Sequence, residues 1–400
     1  MRYWLLIFIC ILNLQATELN KLIEVALAKH PSLETIKARI AAADYALSYS
    51  KNFDNPIINI SVNDIRLDDL TDRSLEPMQT QAITLSQKIP WFGKIDAKVK
   101  IEKTKKKLLL MTLKEAKAEL VSKIKITAYQ LWEIEELIKL TQRNIEITEQ
   151  NIKIFQGYTA SSRSENFHMG IMSAELVRSR LKTDLSNLKA KREEIVALLS
   201  YLSFQNIQNI KIELPKETLL PLTILKKELK ETPILKVKQT NSEIEKNRLE
   251  LSQLNRISDP TLRIGYNHRQ EFEDFVSVGL SFALPIYGTE KSKVEEQRAK
   301  LLSKEFMVTD TKHSLEANLE KLYAIAQKEL EVLHIVKDDS LPLIEHMFDL
   351  IRADIAAGGD LYKFMDLIEQ KLTLEAQAIS ARANFHKTKA KIDALLGELK

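Results

Sequence analysis

Residues 80–94, TQAITLSQKIPWFGK, contain two different periodicities, and the change between them decides the fold. Before Pro90, apolar residues alternate with polar ones, which is the pattern of a strand with one apolar face. After Gly93, apolar residues recur at helical spacing for about sixty residues. Proline and glycine are disfavoured inside strands and helices, so these two residues mark the junction between a strand and a long helix.

Residues 276–291, VSVGLSFALPIYGTEK, repeat this plan. Alternating residues lead to Pro285, Gly288 follows, and another long helical pattern begins. The short helices and strands that precede each junction also correspond, at an offset of about 200 residues. The sequence therefore predicts one duplicated architecture rather than two or three unrelated domains.

The repeat gives a division of the whole chain. We predict a signal peptide at 1–16, a first structural repeat at 17–204, a linker at 205–221 and a second repeat at 222–400. Each repeat is predicted to contain two strands and one long helical hairpin. The strands fall at about 57–66, 80–89, 261–270 and 275–284, the hairpins at about 94–203 and 289–397, and the hairpin tips at about 157–166 and 354–360.

The N-terminus has the pattern of a secretory signal peptide. Arg2 precedes an apolar run from Trp4 to Leu12, and a cleavage site falls near Ala16. The alternative is an N-terminal membrane anchor, for which the run is short. Because Cys10 is the one cysteine and lies in this run, the mature chain would contain no disulfide.

Composition favours long amphipathic helices. Hydrophobic residues make up 44% of the chain and aromatic residues 6%, with 28% charged residues and few glycines or prolines. Between 94 and 156 a heptad-like spacing indicates a helix of about 63 residues, or roughly 95 Å, so we expect an elongated molecule. The net charge of +4 is spread along the chain without a basic patch, which argues against a nucleic-acid partner.

Each predicted strand has about ten residues, enough to cross a hydrocarbon layer when tilted. Four strands cannot close a barrel, so other copies of the chain must complete it: three copies would give twelve strands and a pore, and two would give eight strands and a nearly filled lumen. The polar face would then line the pore, with Asn59, Ser61, Thr84, Ser86, Arg263 and Ser277 as the candidates. The alternative is that these residues form the outer surface of a soluble sandwich.

The order of these elements resembles the TolC family of outer-membrane efflux proteins over nearly all of the predicted mature chain. The most specific features are SQKIPWFGK at 86–94 and the paired junctions, which contain Gln87, Pro90, Trp91, Phe92, Gly93, Pro285 and Gly288. The WFGK form is similar to the heavy-metal efflux branch of the CusC and CzcC type. The resemblance implies a mixed α and membrane β-barrel fold: a homotrimer with a twelve-stranded barrel, four strands from each chain, and a long periplasmic α-helical barrel.

The resemblance also implies a function and partners. We expect a passive channel in the outer membrane of a Gram-negative bacterium, the exit duct of a tripartite efflux system, in contact with outer-membrane lipid. Its partners would be a periplasmic adaptor and an inner-membrane pump of the RND or ABC type. The alternatives are the outer-membrane component of a type I protein secretion system, a periplasmic adaptor, and a coiled-coil scaffold.

No pattern for catalysis, cofactor binding or metal binding stands out. The chain has no phosphate-binding glycine loop, H-E-x-x-H pair or nucleophile elbow, and its seven histidines are scattered. We therefore predict that it is not an enzyme and needs no cofactor.

Charged residues at the two tips are candidates for a gate. Asp354, Asp360 and Asp366 lie around the second tip, where a trimer would turn each into a ring of three negative charges. The alternative is that such acids only offset a helix dipole, most simply for Asp360. Arg163 and Glu165 in the first tip would pair across subunits or contact the adaptor.

Overall fold

The computed structural model describes residues 19–159, 165–208, 210–356 and 361–398, without the side chains of residues 155, 158, 159, 165–168, 352–356, 361 and 362. The predicted signal peptide and Cys10 lie outside the described residues. The helices are α1 (Leu19–Lys29), α2 (Pro31–Tyr49), α3 (Lys94–Thr159), α4 (Glu165–Ser203), α5 (Leu222–Glu228), α6 (Pro233–Leu254), α7 (Thr289–His334), α8 (Leu341–Ala356) and α9 (Leu361–Leu396). The strands are β1 (Ile57–Val62), β2 (Gln81–Lys88), β3 (Thr261–His268) and β4 (Phe275–Ser281). None of the described helices combines the length and the apolar composition needed to cross a bilayer.

Each repeat has an X-Pro pair near its start, and in both repeats the proline begins a helix. Pro31 and Pro233 are the first residues of α2 and α6, where a missing amide hydrogen costs no helical hydrogen bond. His30 caps α2 because its Nδ1 accepts the backbone amide of Ser32 at 3.3 Å. In the second repeat Thr232 occupies this place and is fully buried.

The four strands form one antiparallel sheet in the order β1-β2-β3-β4. β1 and β4 are its two edges, and neither has a second strand partner within the described part of the chain. β1 ends at Val62, short of the predicted end near 66, because the chain turns at Asp64, which has a φ of 55°. The buried guanidinium of Arg73 holds this turn by donating to the carbonyl oxygens of Asn63 and Asp64 at 2.5 and 3.2 Å.

Packing divides the chain into two compact units. One contains the sheet and takes Thr35–Leu113 and Ile234–His313; the other takes the chain up to Glu34, Lys114–Pro233 and the chain from Ser314. In the sheet unit, a buried hydrogen bond of 3.0 Å joins Asn247 Nδ2 on α6 to Thr104 Oγ1 on α3. The core of the other unit is aliphatic and aromatic, and its fully buried side chains include Leu22, Leu33, Ile124, Leu131, Leu199, Leu319, Phe385 and Ile392.

The second hairpin departs from the sequence-based expectation of one helix from about 289 to 351. α7 ends at His334, and Ile335–Ser340 form a π-helix before α8 begins. The physical cause is Pro342, which has no amide hydrogen and whose ring would collide with the carbonyl of Asp338 in a regular α-helix. The chain is therefore helical from Thr289 to Ala356, with one π-helical stretch inside it.

Candidate functional site

The strand register places all six candidate pore residues on one face of the sheet. Asn59, Thr84, Gly265 and Ser277 are direct cross-strand partners and form one row. The next row on the same face contains Ser86 and Arg263, and Ser61 lies opposite Ala82 in the row on the other side. We call this the polar face.

The polar face is tightly packed at its centre. A Cβ atom at Gly265 would lie 2.7 Å from Ser277 Oγ and 3.0 Å from Thr84 Oγ1. Asn267, two residues further along β3, is 9% exposed and donates from Nδ2 to Ser277 Oγ at 3.2 Å. Small and hydrogen-bonded polar residues therefore occupy the centre of this face, and the apolar side chains of Ile57 and Phe275 lie in the rows on either side.

The opposite face, which we call the apolar face, consists of large hydrophobic residues that remain exposed. Two complete rows cross all four strands: Ile58, Leu85, Ile264 and Val278, and Ile60, Ile83, Tyr266 and Val276. Their exposed fractions lie between 45% for Leu85 and 75% for Ile60. A water-soluble sheet buries such a face, because apolar surface in water is unfavourable.

Aromatic side chains follow the apolar face where the strands meet the helices. Phe92 is 85% exposed and Tyr287 is 90% exposed. Trp91 packs edge-to-face on Phe92 with ring centroids 5.7 Å apart. Aromatic side chains, above all the amphipathic tryptophan and tyrosine, are typical of the boundary between hydrocarbon and water in membrane proteins.

The two junctions have the same backbone conformation. Gly93 and Gly288 have φ values of 79° and 73°, in the left-handed region that side chains rarely adopt. After each glycine the helix starts in the same way, because Gly93 accepts the amide of Ala97 at 2.9 Å and Gly288 accepts that of Ser292 at 3.1 Å. At the first junction Gln87 Nε2 also donates to the carbonyl oxygen of Asp54 at 3.0 Å.

A buried ion pair holds the first junction, and the sequence did not reveal it. The Lys94 side chain is 4% exposed, and its Nζ lies 2.6 Å from both Asp259 Oδ1 and the carbonyl oxygen of Ile257. The same carboxylate oxygen accepts the backbone amide of Trp91 at 2.9 Å. Burial by itself raises the pKa of Asp259, but the hydrogen bonds from Lys94 and Trp91 outweigh it, and the pKa lies below that of an ordinary aspartate.

Of the five tip candidates, Asp366 is the one whose side chain the structure describes. Arg163 and Asp360 lie outside the described residues, and Glu165 and Asp354 lie in α4 and α8 without described side chains. Asp366 is exposed on α9, where it accepts a hydrogen bond from Gln370 Nε2 at 2.7 Å.

Within the described residues, no group of three or more histidine, cysteine, aspartate or glutamate side chains could hold a metal ion. His386 is a core residue with 1% exposure, packed between the rings of Phe385 and Tyr129. Burial lowers its pKa to about 4, although Glu217 at 3.9 Å acts in the opposite direction.

Comparison with known proteins identifies the fold through structure alone. No protein-family model matches the chain, and no curated protein matches it in sequence. Solved outer-membrane channels match it along nearly their whole length. A structure of CusC, described in terms of transmembrane channel formation, has a TM-score of 0.81 at 10% identity and covers 95% of this chain and 92% of its own.

Two further neighbours are described as outer-membrane proteins. The open state of the MtrE outer-membrane channel of Neisseria gonorrhoeae has a TM-score of 0.79 at 15% identity, covering 95% of this chain and 89% of its own. VceC of Vibrio cholerae has a TM-score of 0.79 at 15% identity, and the match covers 96% of this chain and 97% of VceC. The chain therefore has the fold of a single chain of these outer-membrane proteins, which confirms the helices and the four-stranded sheet that the resemblance to the TolC family implied.

Proposed function

We propose that this protein is an outer-membrane channel, the exit duct of a tripartite efflux system, and that it works as a homotrimer without catalysis. The observation that carries the proposal is the apolar face: eight large side chains in two rows remain exposed, while the centre of the polar face opposite them is packed with small and hydrogen-bonded residues. Lipid around a closed barrel would cover the apolar face, and the polar face would line a water-filled pore.

The unpaired edges and the strand count support the trimer. Each chain supplies four strands with open edges at β1 and β4, and pairing between copies would satisfy the edge hydrogen bonds. Three copies give the twelve strands needed for a pore, and a signal peptide at 1–16 would direct the chain to the periplasm. An adaptor would dock at the tips near 157–166 and 354–360, and an RND or ABC pump would supply the energy.

Thiol labelling of neighbouring residues tests the pore assignment. Ser277 lies on the polar face and Val278 on the apolar face of the same strand. Cys10, the one native cysteine, lies in the predicted signal peptide, so Ser277→Cys and Val278→Cys introduce a single thiol into the mature chain. In planar bilayers, a charged water-soluble thiol reagent should change the conductance of Ser277→Cys and leave that of Val278→Cys unchanged. Absence of channels, or equal effects on both variants, would reject the proposal.

The tip acids give a separate test of gating. If rings of Asp360 and Asp366 attract cations, Asp360→Asn and Asp366→Asn should each lower the selectivity for cations over anions. Asp339→Asn, on the exposed surface of the π-helix, is a suitable control for loss of a charge elsewhere in the second hairpin. Unchanged selectivity in both tip variants would remove the charged gate from the proposal and leave the channel in place.

The cargo distinguishes efflux from the main alternative. A deletion strain should become more sensitive to metal ions or drugs if the channel serves efflux, and should retain a secreted protein in the periplasm if it serves type I secretion. The WFGK junction and the fold shared with CusC favour a trial of heavy-metal ions first. Recovery of the protein in the soluble periplasmic fraction would favour the adaptor or scaffold alternatives instead.

A further inference from the structure

The buried residues of the second hairpin contain an irregularity in their spacing. Along the second half of α7 and into the π-helix the buried hydrophobic residues follow heptads, since Leu315, Leu319, Ala326, Leu333 and Val336 are 4, 7, 7 and 3 residues apart. The next buried residues in this line are Ile344 and Phe348. The interval from Val336 to Ile344 is eight residues, one more than a heptad. One extra residue therefore separates the two parts of the buried line.

The π-helix accommodates this residue. The amide of Leu341 donates to the carbonyl oxygen of Val336, five residues earlier, and Ser340 Oγ donates to the carbonyl oxygen of Ile335 at 3.4 Å. Such wider turns absorb one residue that an α-helix has no room for. Pro342 favours them here, because a regular α-helix would need the hydrogen bond to Asp338 that proline cannot make.

α8 nevertheless has a second line of apolar residues. This line lies at the positions that continue the heptads of α7 without the extra residue. The buried stripe of α8 consists of the buried Ile344 and Phe348 and the partly buried Ile351, which packs against the same core cluster. The exposed stripe consists of Leu343, Met347 and Leu350, with exposed fractions of 63%, 40% and 61%. Leu343 lies one heptad after Val336. The two stripes differ by one residue, or about 100° around the helix.

We propose that α8 has two packing registers against α9 and that the π-helix Ile335–Ser340 is the joint that selects between them. In the observed register, Phe348 packs edge-to-face on Phe364 of α9 with ring centroids 5.7 Å apart, and Ile344 belongs to the same core cluster. In the second register, the joint is continuous α-helix, α8 is turned by about 100°, and the exposed stripe takes the place of the buried one.

The energetics favour a close balance between the registers. Each stripe has three large apolar side chains, so each register removes a similar apolar area from water. The ion pair between Lys371 and Glu345, which the turn would break, is weak, since Nζ lies 3.3 Å from Oε1 and the Glu345 side chain is 64% exposed. Lys371 Nζ also lies 5.5 Å from the centroid of the Phe348 ring, and this contact together with Pro342 favours the observed register. This inference concerns the hairpin itself and does not depend on the proposed channel function.

Cysteine pairs in the full-length mature protein report the register directly. Phe348→Cys with Phe364→Cys detects the observed register, and Met347→Cys with Phe364→Cys detects the second one. His346→Cys with Phe364→Cys measures background, because His346 belongs to neither stripe. We call these the 348 pair, the 347 pair and the 346 pair. With a short bifunctional thiol reagent, and with no other substitution, the 348 pair should give a higher yield of cross-linked product than the 347 pair. Pro342→Ala should raise the yield of the 347 pair at least fivefold and lower that of the 348 pair.

Deletion of Asp339 provides the matched control. Combined with Pro342→Ala, it removes the extra residue, so Ile344 and Phe348 fall into the heptads of a continuous α-helix. The yields should then return to the native preference for the 348 pair. Unchanged yields in folded Pro342→Ala overturn the proposal, as does a 347 product that forms between chains. If Pro342→Ala does not fold, the 347 pair in the native background must still exceed the 346 background over a long reaction, and equal yields overturn the proposal.

Discussion

At the scale of single residues, Lys94 shows how a short sequence motif acts through a distant partner. Its ammonium group is removed from water, and Asp259 with the Ile257 carbonyl replaces the lost hydration. A buried charge without its partner is strongly unfavourable, whereas an exposed ion pair contributes little. The final lysine of WFGK therefore joins the start of α3 to the segment that leads into β3.

We expect Asp259→Ala to lower the free energy of unfolding by about 3–5 kcal/mol, because it leaves the buried ammonium group of Lys94 without its counter-charge and the Trp91 amide without an acceptor. Urea unfolding of the purified protein in detergent measures this change. Glu250→Ala is the control, since Lys100 and Glu250 join α3 to α6 at 2.6 Å but are 54% and 50% exposed. Equal losses in the two variants would contradict the role given to the buried pair.

The junction glycines are required by backbone conformation rather than by space. Nothing lies within 4 Å of a Cβ at Gly288, and the nearest atom at Gly93 is 3.7 Å away. Both glycines have φ near 75°, a conformation that is strained for alanine. Gly93→Ala and Gly288→Ala should therefore each lower the free energy of unfolding by about 1–3 kcal/mol, measured by the same unfolding assay. Gly157→Ala in α3, also with open space around it, should be neutral or stabilising by up to about 1 kcal/mol.

His386 should make the protein sensitive to mild acid. In the unfolded chain a histidine binds a proton below about pH 6.5, whereas burial lowers the pKa of His386 to about 4. Between these values the unfolded state binds more protons, so stability should fall on acidification by on the order of 3 kcal/mol. His386→Leu should reduce the slope of unfolding free energy against pH over this range. Equal slopes in native protein and His386→Leu would contradict a neutral, buried His386.

At the scale of the elements, period-2 alternation is the feature that specifies the sheet. It predicted four strands and their two faces, because one residue of shift would exchange the faces of a whole strand. Neighbouring residues therefore test the faces most directly. Ile58→Lys places a charge on the apolar face and should cost about 2–4 kcal/mol if lipid covers it, whereas Asn59→Lys on the polar face should be tolerated. The fraction of each variant recovered in the outer membrane measures the difference, and equal recovery would argue against lipid on the apolar face.

Other elements were beyond what sequence patterns could predict, for two physical reasons. Lys94 and Asp259 are 165 residues apart, so no local spacing connects them. The π-helix was hidden by the exposed stripe of α8, because Leu343, Met347 and Leu350 continue the heptads of α7 and imitate an uninterrupted helix. Side chains for most of the tip candidates are not described, so their charged rings remain proposals.

At the scale of the whole molecule, the open edges of β1 and β4 determine how copies can assemble. Each chain offers one edge of each kind, so pairing joins β1 of one copy to β4 of the next in a head-to-tail arrangement. Such contacts close into a ring or continue without limit. Ring closure at three copies is the outcome that the proposed channel requires, and closure at two would give the smaller barrel that the strand count also allows.

Covalent capture of the edges can count the copies in the ring. Ile60 lies on β1, and Val276 and Val278 lie on β4. Ile60→Cys is combined with Val276→Cys or with Val278→Cys, and the double variant is cross-linked by a short bifunctional thiol reagent. It should give monomer, dimer and trimer bands and none larger, because the third link closes the ring. A ladder that stops at two would replace the trimer with a dimer, and one that continues beyond three would exclude a closed trimeric barrel. Ile60→Cys with Ile83→Cys is the control, since these residues are cross-strand partners within one chain and should give only an internally linked monomer.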